Sequence, residues 1–295
     1  MPLKQLWAGA LPALWLIAAG CGSRQDAGLR LDSRFTEMIP ENTIVLAGVR
    51  MEELRAAPVY RKLMAGRQFP NVDEFAARTG FDPRKDVKEM LIAATGEAVV
   101  ALARGNFKST RIDGMEQSSY KGQTLYRREG AALAILSPDT AVAGTEAGVK
   151  LALDRQNGGG RLLRMAQALP AASEGWIAGA GFAELAAQAL TSEGNIANLR
   201  KVLASLESAT FAADLHTGID ARAACECRTD SGCEAIVNTL RGVIALGRLS
   251  APEGDREMLR IYDSVTVERT GRNVNLSLAL PADLVDRVLK LMESD

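Results

Sequence analysis

Two periods of apolar residues alternate along this chain, and together they set out most of its elements. A period of two marks strands. Val274, Leu276, Leu278 and Leu280 alternate with Asn273, Asn275, Ser277 and Ala279, so Arg272 to Leu280 presents one apolar and one wet face. It pairs with Ser264 to Arg269 across a turn at Thr270-Gly271. Ile219 to Arg228 behaves similarly, with Asp220, Arg222, Glu226 and Arg228 outward, and pairs with Thr210 to Leu215 across His216-Thr217-Gly218. A period of 3.6 marks helices. Ile196, Leu199, Val202, Leu203 and Leu206 share one helical face. Ser231-Gly232-Cys233-Glu234 has capping-box form and opens a helix with Ile236, Leu240, Val243 and Ile244 on one stripe. Pro281 starts a last helix that turns Leu284, Val285, Val288, Leu289 and Met292 inward.

Upstream, Val59 to Met64 and Asn71 to Thr79 read as helices, the second ended by Gly80. One strand is expected at Tyr120–Tyr126, a hairpin at Ala131 to Leu136 and Thr140 to Gly144, and a helix from Glu146 to Leu153. The hairpin of Val87 to Ala94 and Ala98 to Ala103 is different. Met90-Leu91-Ile92-Ala93-Ala94 and Ala98-Val99-Val100-Ala101-Leu102-Ala103 do not alternate, which is the pattern of strands buried on both faces. Either these strands lie in the middle of a sheet, or their second face, with Met90, Ile92, Val99 and Ala101, lines an apolar groove.

The pattern also repeats. Met38-Ile39-Pro40 leads into Thr43-Ile44-Val45-Leu46-Ala47-Gly48 and then Met51-Glu52-Glu53-Leu54. Ala168-Leu169-Pro170 leads into Gly175-Trp176-Ile177-Ala178-Gly179 and then Phe182-Ala183-Glu184-Leu185. The shared grammar is apolar-Pro, a spacer, a strand ending in Ala-Gly, and a helix opening on Glu-Leu. The expected fold is therefore α+β: two related halves of antiparallel hairpins, residues 35–157 and 158–295, with helices packed on one face and the option of one shared sheet. Asn157-Gly158-Gly159-Gly160-Arg161 reads as a flexible junction between them.

The first residues carry a separate message. Lys4 precedes an uncharged run from Gln5 to Gly20, which Pro12 interrupts and which falls short of the roughly 20 residues of a membrane-spanning helix. This is export-signal form. Ala18-Ala19-Gly20-Cys21 resembles the lipobox of bacterial lipoproteins, with Ala18 where leucine is commoner. The resemblance implies a signal peptide over residues 1–20, cleavage after Gly20, and acylation of Cys21. It also implies a place in the cell envelope, on the outer membrane facing the periplasm, since Gly22 rather than aspartate follows the cysteine. Residues 21–34 then form a polar lipidated tether, able to reach about 40 Å at ~3.3 Å per residue. The opening Pro40 to Val45 and the hairpin-helix units resemble exported bacterial proteins with no described activity.

Chemistry is sparse. The 35 basic side chains, Lys4 among them, face 36 acidic ones, which argues against nucleic acid as a partner. Aromatic residues are 5% and leave Trp176 as the one tryptophan beyond the leader. The single histidine, His216, falls in a turn, and no G-x-S-x-G elbow accompanies it. No phosphate loop and no convergent carboxylate pair is legible, so no enzymatic activity, cofactor or metal is expected. Glu52-Glu53 diverge on a helix, and the aspartates of Phe81-Asp82-Pro83 and Asp86 cap turns. Cys225, Cys227 and Cys233 are an odd number in an oxidising compartment. A bridge from Cys227 or Cys225 to Cys233, a thiolate metal site, and buried free thiols are the three options.

The expected role is a non-enzymatic binding or scaffold module, held to the membrane by acyl chains on Cys21, whose partner is an envelope protein or an apolar ligand; a hydrolase with acids from both halves is the remote rival. Intact-mass measurement on protein extracted from membranes should find a chain that begins at Cys21 and carries acyl groups. A bare chain still starting at Met1 would contradict this.

Overall fold

The computed structural model describes residues 28–108, 110–181 and 204–294. Twelve strands form one sheet in which all paired neighbours are antiparallel. At its middle β1 (Val45–Arg50) pairs with β8 (Gly175–Ala180). From β1 the order runs outward through β2 (Val87–Ala94), β3 (Val99–Gly105), β7 (Thr140–Thr145), β6 (Ala131–Ser137), β5 (Gln123–Arg128) and β4 (Glu116–Tyr120). From β8 it runs through β9 (Leu206–Asp214), β10 (Gly218–Cys227), β12 (Asn273–Pro281) and β11 (Val265–Thr270).

The central seam is built on complementary sizes. Leu46 lies opposite Ala178, and Gly48 opposite Trp176. The indole lies over Gly48 so closely that a Cβ there would sit 2.4 Å from the ring. Because directly opposed residues share a face, the register carries this face across the sheet: Trp176, Gly48, Leu91, Leu102, Val142 and Ala134 are successive partners. Over it pack α1 (Ser33–Thr36), α6 (Glu146–Leu153) and α7 (Gly160–Gln167), which contribute Phe35, Val149, Ala152, Leu162 and Ala166 to the main core.

The helices do not keep to that face, which corrects the one-face expectation. α2 (Met51–Ala56), α3 (Pro58–Met64), α4 (Pro70–Thr79) and α5 (Pro83–Asp86) lie against the second face, as do α8 (Asp230–Ser250) and α10 (Ala282–Ser294). The cause is local. Leu278, Leu280 and Ile219 are apolar on the second face, and α10 folds back onto them with Leu284 and Val285, where Val59 of α3 also meets it. The first face of β10 and β12 carries Arg222, Glu226, Asn273, Asn275 and Ser277 and stays polar.

Four further expectations need correction. The strand expected at Tyr120–Tyr126 is a hairpin, β4 to β5, because Lys121 and Gly122 both take positive φ (47° and 77°) and form a two-residue turn that suits sheet twist. Leu206 belongs to β9, not to a helix; residues 196–203 lie outside the described residues, as does the Glu-Leu opening at 184–185. α8 is capped by Thr229, whose Oγ1 accepts from the Gly232 backbone at 3.1 Å, rather than by Ser231. Its Val243 is 63% exposed, because only Cys233, Ile236 and Val237 of the first turns are buried against the sheet. The last turns lie beside α9 (Arg256–Asp263) through Gly247 against Tyr262.

The glycine run at 158–160 is equally unlike a loose junction. Gly158 N–H donates to the Ile39 carbonyl at 2.8 Å, and a Cβ on Gly158 would lie 2.3 Å from the Pro40 backbone. At the start of the described chain, Gly28 bridges to Pro170, and Leu29 N–H donates to the Leu169 carbonyl at 2.9 Å. Arg34 then spans Asp32 and Asp139, and the Asp139 carboxyl is held down at about 2 by the Ser137 hydroxyl first, then by Arg34 and Thr140. Cys227 and Cys233 form a disulfide between the end of β10 and the first turn of α8, with Cα atoms 5.6 Å apart. Cys225 is a free, half-buried thiol whose pKa burial pushes up. Among the described residues no helix is long and apolar enough to cross a membrane.

Two measurements follow from this architecture. Gly48→Val should lower stability by about 1–3 kcal/mol in urea unfolding, since the added atoms overpack the indole. Removing the disulfide with the paired change Cys227→Ala and Cys233→Ala should cost ~2 kcal/mol, the loop-closure value for so short a loop, in the same assay.

Candidate functional site

Strands β2, β3, β7 and β6 stand side by side, so the second face of all four is a continuous floor. Two rows of opposed residues make it up. One is Met90, Ala103, Ala141 and Ile135; the next is Ile92, Ala101, Ala143 and Leu133. In each row a large residue stands on the outer strands and an alanine on both inner ones. The result is a trough along β3 and β7, walled by Met90 on one side and by Leu133 and Ile135 on the other. Strand spacing of ~4.8 Å makes it about three gaps wide from wall to wall.

A partial roof closes the trough. Phe75 comes from α4, Phe81 and Pro83 from the start of α5, and Phe107, Thr110 and Met115 from the segment between β3 and β4. The aromatic residues brace each other: Phe81 stacks on Phe107 with centroids 5.1 Å apart, and Phe75 meets Phe81 edge-on at 6.4 Å. Sequence puts them there for plain reasons. Gly80 takes φ 69° and ends α4, and Asp82 caps α5 by accepting from the Arg84 backbone at 3.0 Å. The roof is tied to its surroundings by Phe107 N–H to the Pro138 carbonyl (2.9 Å) and Arg111 N–H to the Thr79 carbonyl (2.8 Å).

The enclosed space is about 740 Å³. Its lining is almost wholly apolar. Glu129, in the positive-φ turn between β5 and β6, is the one ionisable lining residue and stands exposed at the rim. Thr110 Oγ1 is buried and has no hydrogen-bond partner, which leaves one polar atom in an apolar wall. Such a site can hold an apolar molecule.

The residues named from sequence divide accordingly. Met90 and Ala101 line the groove. Ile92 stands directly opposite Ala101 on the same face but does not border the open space, and Val99, on that face too, is 44% exposed at the strand end, outside the groove. The two sequence readings of this hairpin were posed as rivals, yet the strands are central in the sheet and also bear the groove. Cys227 and Cys233 are bonded away from it, Cys225 is free, and Cys21 lies outside the described residues. Sequence reading missed Ala141, Ala143, Leu133 and Ile135 and the three roof phenylalanines. A signal existed: Ala-x-Ala occurs at Ala101-Ala103 and again at Ala141-Ala143, small residues at strand spacing in two segments. His216 is in the turn expected of it but is not free there, since it meets Glu174 and Asp214.

No protein-family model matches the chain, and no curated protein matches it. Among solved structures, crystal forms I, III and IV of TP0453 are similar. Form III aligns over 90% of this chain and 99% of that chain, with TM-score 0.50 and 8% identity. Form I gives 0.48 at 8% identity and form IV 0.45 at 9%, each over 91% of this chain and 98% of the other. At this level of identity the likeness is one of fold: a wide antiparallel sheet with helices, spanned from end to end.

Proposed function

We propose that this chain is a non-catalytic binding protein of the cell envelope, held at the outer membrane through acyl chains on Cys21, that carries an acyl chain or similar apolar ligand in the trough over β3 and β7. The observation that carries the reading is the trough itself. A volume of about 740 Å³ falls within the ~300–1,000 Å³ of pockets that hold single small ligands. Each methylene moved from water into it contributes ~0.8 kcal/mol, so a long chain gains enough to bind without any charged contact.

We further read the sheet as two related halves joined at the β1–β8 seam. Support comes from the strand order, in which β1-β2-β3-β7-β6 and β8-β9-β10-β12-β11 run outward in the same sense. Support also comes from spacing: Pro40 precedes Val45–Arg50 as Pro170 precedes Gly175–Ala180. In this reading β4 and β5, and the roof residues Phe107, Thr110 and Met115 that precede them, are additions to one half, which makes the ligand site single rather than paired. A scaffold role has one observation of its own, the exposed Leu246 and Leu249 on α8.

Native mass spectrometry of the mature protein, extracted gently from membranes, should show a bound lipid-sized adduct. A fluorescent fatty acid should bind the delipidated protein saturably, and Ala143→Phe, which fills the floor without touching the core face, should weaken that binding at least tenfold. An adduct-free protein that binds no apolar probe, or undiminished binding by Ala143→Phe, would overturn the reading.

A further inference from the structure

A second cluster lies far from the trough, where the loop leading into β8 meets the β9–β10 turn. Its centre is Glu174, whose side chain is completely buried. Backbone pairing fixes it there: Glu174 N–H donates to the Ala213 carbonyl at 2.9 Å, and its own carbonyl accepts from Arg50 N–H at 2.7 Å. Oε2 accepts from the Leu215 N–H at 2.9 Å. Oε1 is buried, accepts no hydrogen bond of proper geometry, and points at Nδ1 of His216. Asp214 completes the group. Its Oδ1 lies 3.5 Å from the same Nδ1 and accepts from the His216 backbone N–H at 2.9 Å.

Glu174 Oε1 is short of a hydrogen-bond partner in this arrangement. A buried carboxylate needs a counter-charge. The nearby guanidinium groups are engaged elsewhere, Arg50 on the Ser173 carbonyl at 2.9 and 2.6 Å and Arg222 on Asp220 at 3.2 Å. The imidazole is thus the one basic side chain in direct contact with both carboxylates. A divalent cation with a neutral imidazole neutralises both. One ligand atom from each of Glu174, Asp214 and His216 lies within 4.8 Å of the other two, and ions such as zinc bind carboxylate oxygen and imidazole nitrogen at ~2.0–2.2 Å, so a small outward turn of the partly exposed His216 ring away from Oε1 would admit the ion.

We infer that Glu174, Asp214 and His216 form a site for a divalent cation of the zinc type. His216 and Asp214 are partly exposed, so the remaining coordination positions open to solvent beside a recess of about 250 Å³ between Ser173 and Arg222. Three ligands with open positions is the composition of an exchangeable site rather than a closed structural one. The cation would fasten the β9–β10 turn to the loop before β8, two segments otherwise joined there by backbone pairing and by Glu174 itself.

The test uses the mature chain in a Cys225→Ser background, so that the free thiol cannot compete. After treatment with chelator, titration with zinc chloride in a calorimeter should give saturable one-to-one binding, and zinc should raise the melting temperature. His216→Ala and Asp214→Asn, both at partly exposed positions and each checked for an unchanged far-ultraviolet spectrum, should each weaken zinc binding at least tenfold and abolish the thermal shift. Absence of saturable binding would mean that Glu174 and His216 form an ordinary ion pair, and the inference fails. Binding that survives both variants would place the cation elsewhere and equally overturn it.

Discussion

The fold depends on how closely two strands can approach at the centre of a single wide sheet. β1 and β8 are brought together by a glycine beneath an indole, with a leucine opposite an alanine one step along. Each large side chain occupies the space that its small partner vacates, so the row through Trp176, Leu91 and Leu102 stays level enough for α6 and α7 to lie across it. Close packing of this kind tolerates little change of volume. Outward of the seam most pairs join strands that follow one another in sequence, while β3–β7 and β10–β12 skip over intervening elements. Among the described strands the seam joins the most distant residues, about 130 positions apart, and it makes one sheet of two groups of strands.

What could be read from sequence follows that division between local and distant. The strand at Asn273–Pro281 and its partner were legible because alternation and a short turn are both local. So was Gly80 as the end of α4. The second hairpin at Lys121-Gly122 was hidden because a polar edge strand such as Glu116–Tyr120 has no apolar stripe to announce it. Helix placement was not legible either. Whether α10 falls on one face or the other depends on where β12 stops, and a single residue more or less reverses every side chain. The glycines at 158–160 looked like slack because composition does not distinguish a loop that needs freedom from one that needs room against the Pro40 backbone.

The candidate site illustrates the same limit more sharply. Ala101, Ala103, Ala141 and Ala143 read individually as ordinary core alanines. Only the β3–β7 register places them next to one another between larger walls. The cluster at Glu174 is likewise invisible in sequence, where His216 stands alone; it exists because Gly175 pairs with Ala213 and draws the preceding glutamate beneath the turn. In both places apolar or acidic residues of common type acquire a role through pairing partners tens of residues away, and the two places share no element.

Gly28 is attached beside Pro170, directly before β8, so the amino-terminal segment joins the molecule near its midline. Five strands extend from there to one side and seven to the other, about 50 Å in all at ~4.8 Å per strand gap. A plate suspended at its fulcrum behaves differently from one suspended by a rim. A pull on Gly28 would load the most heavily flanked strands instead of peeling an outer one away. Neither outer margin takes part in that attachment.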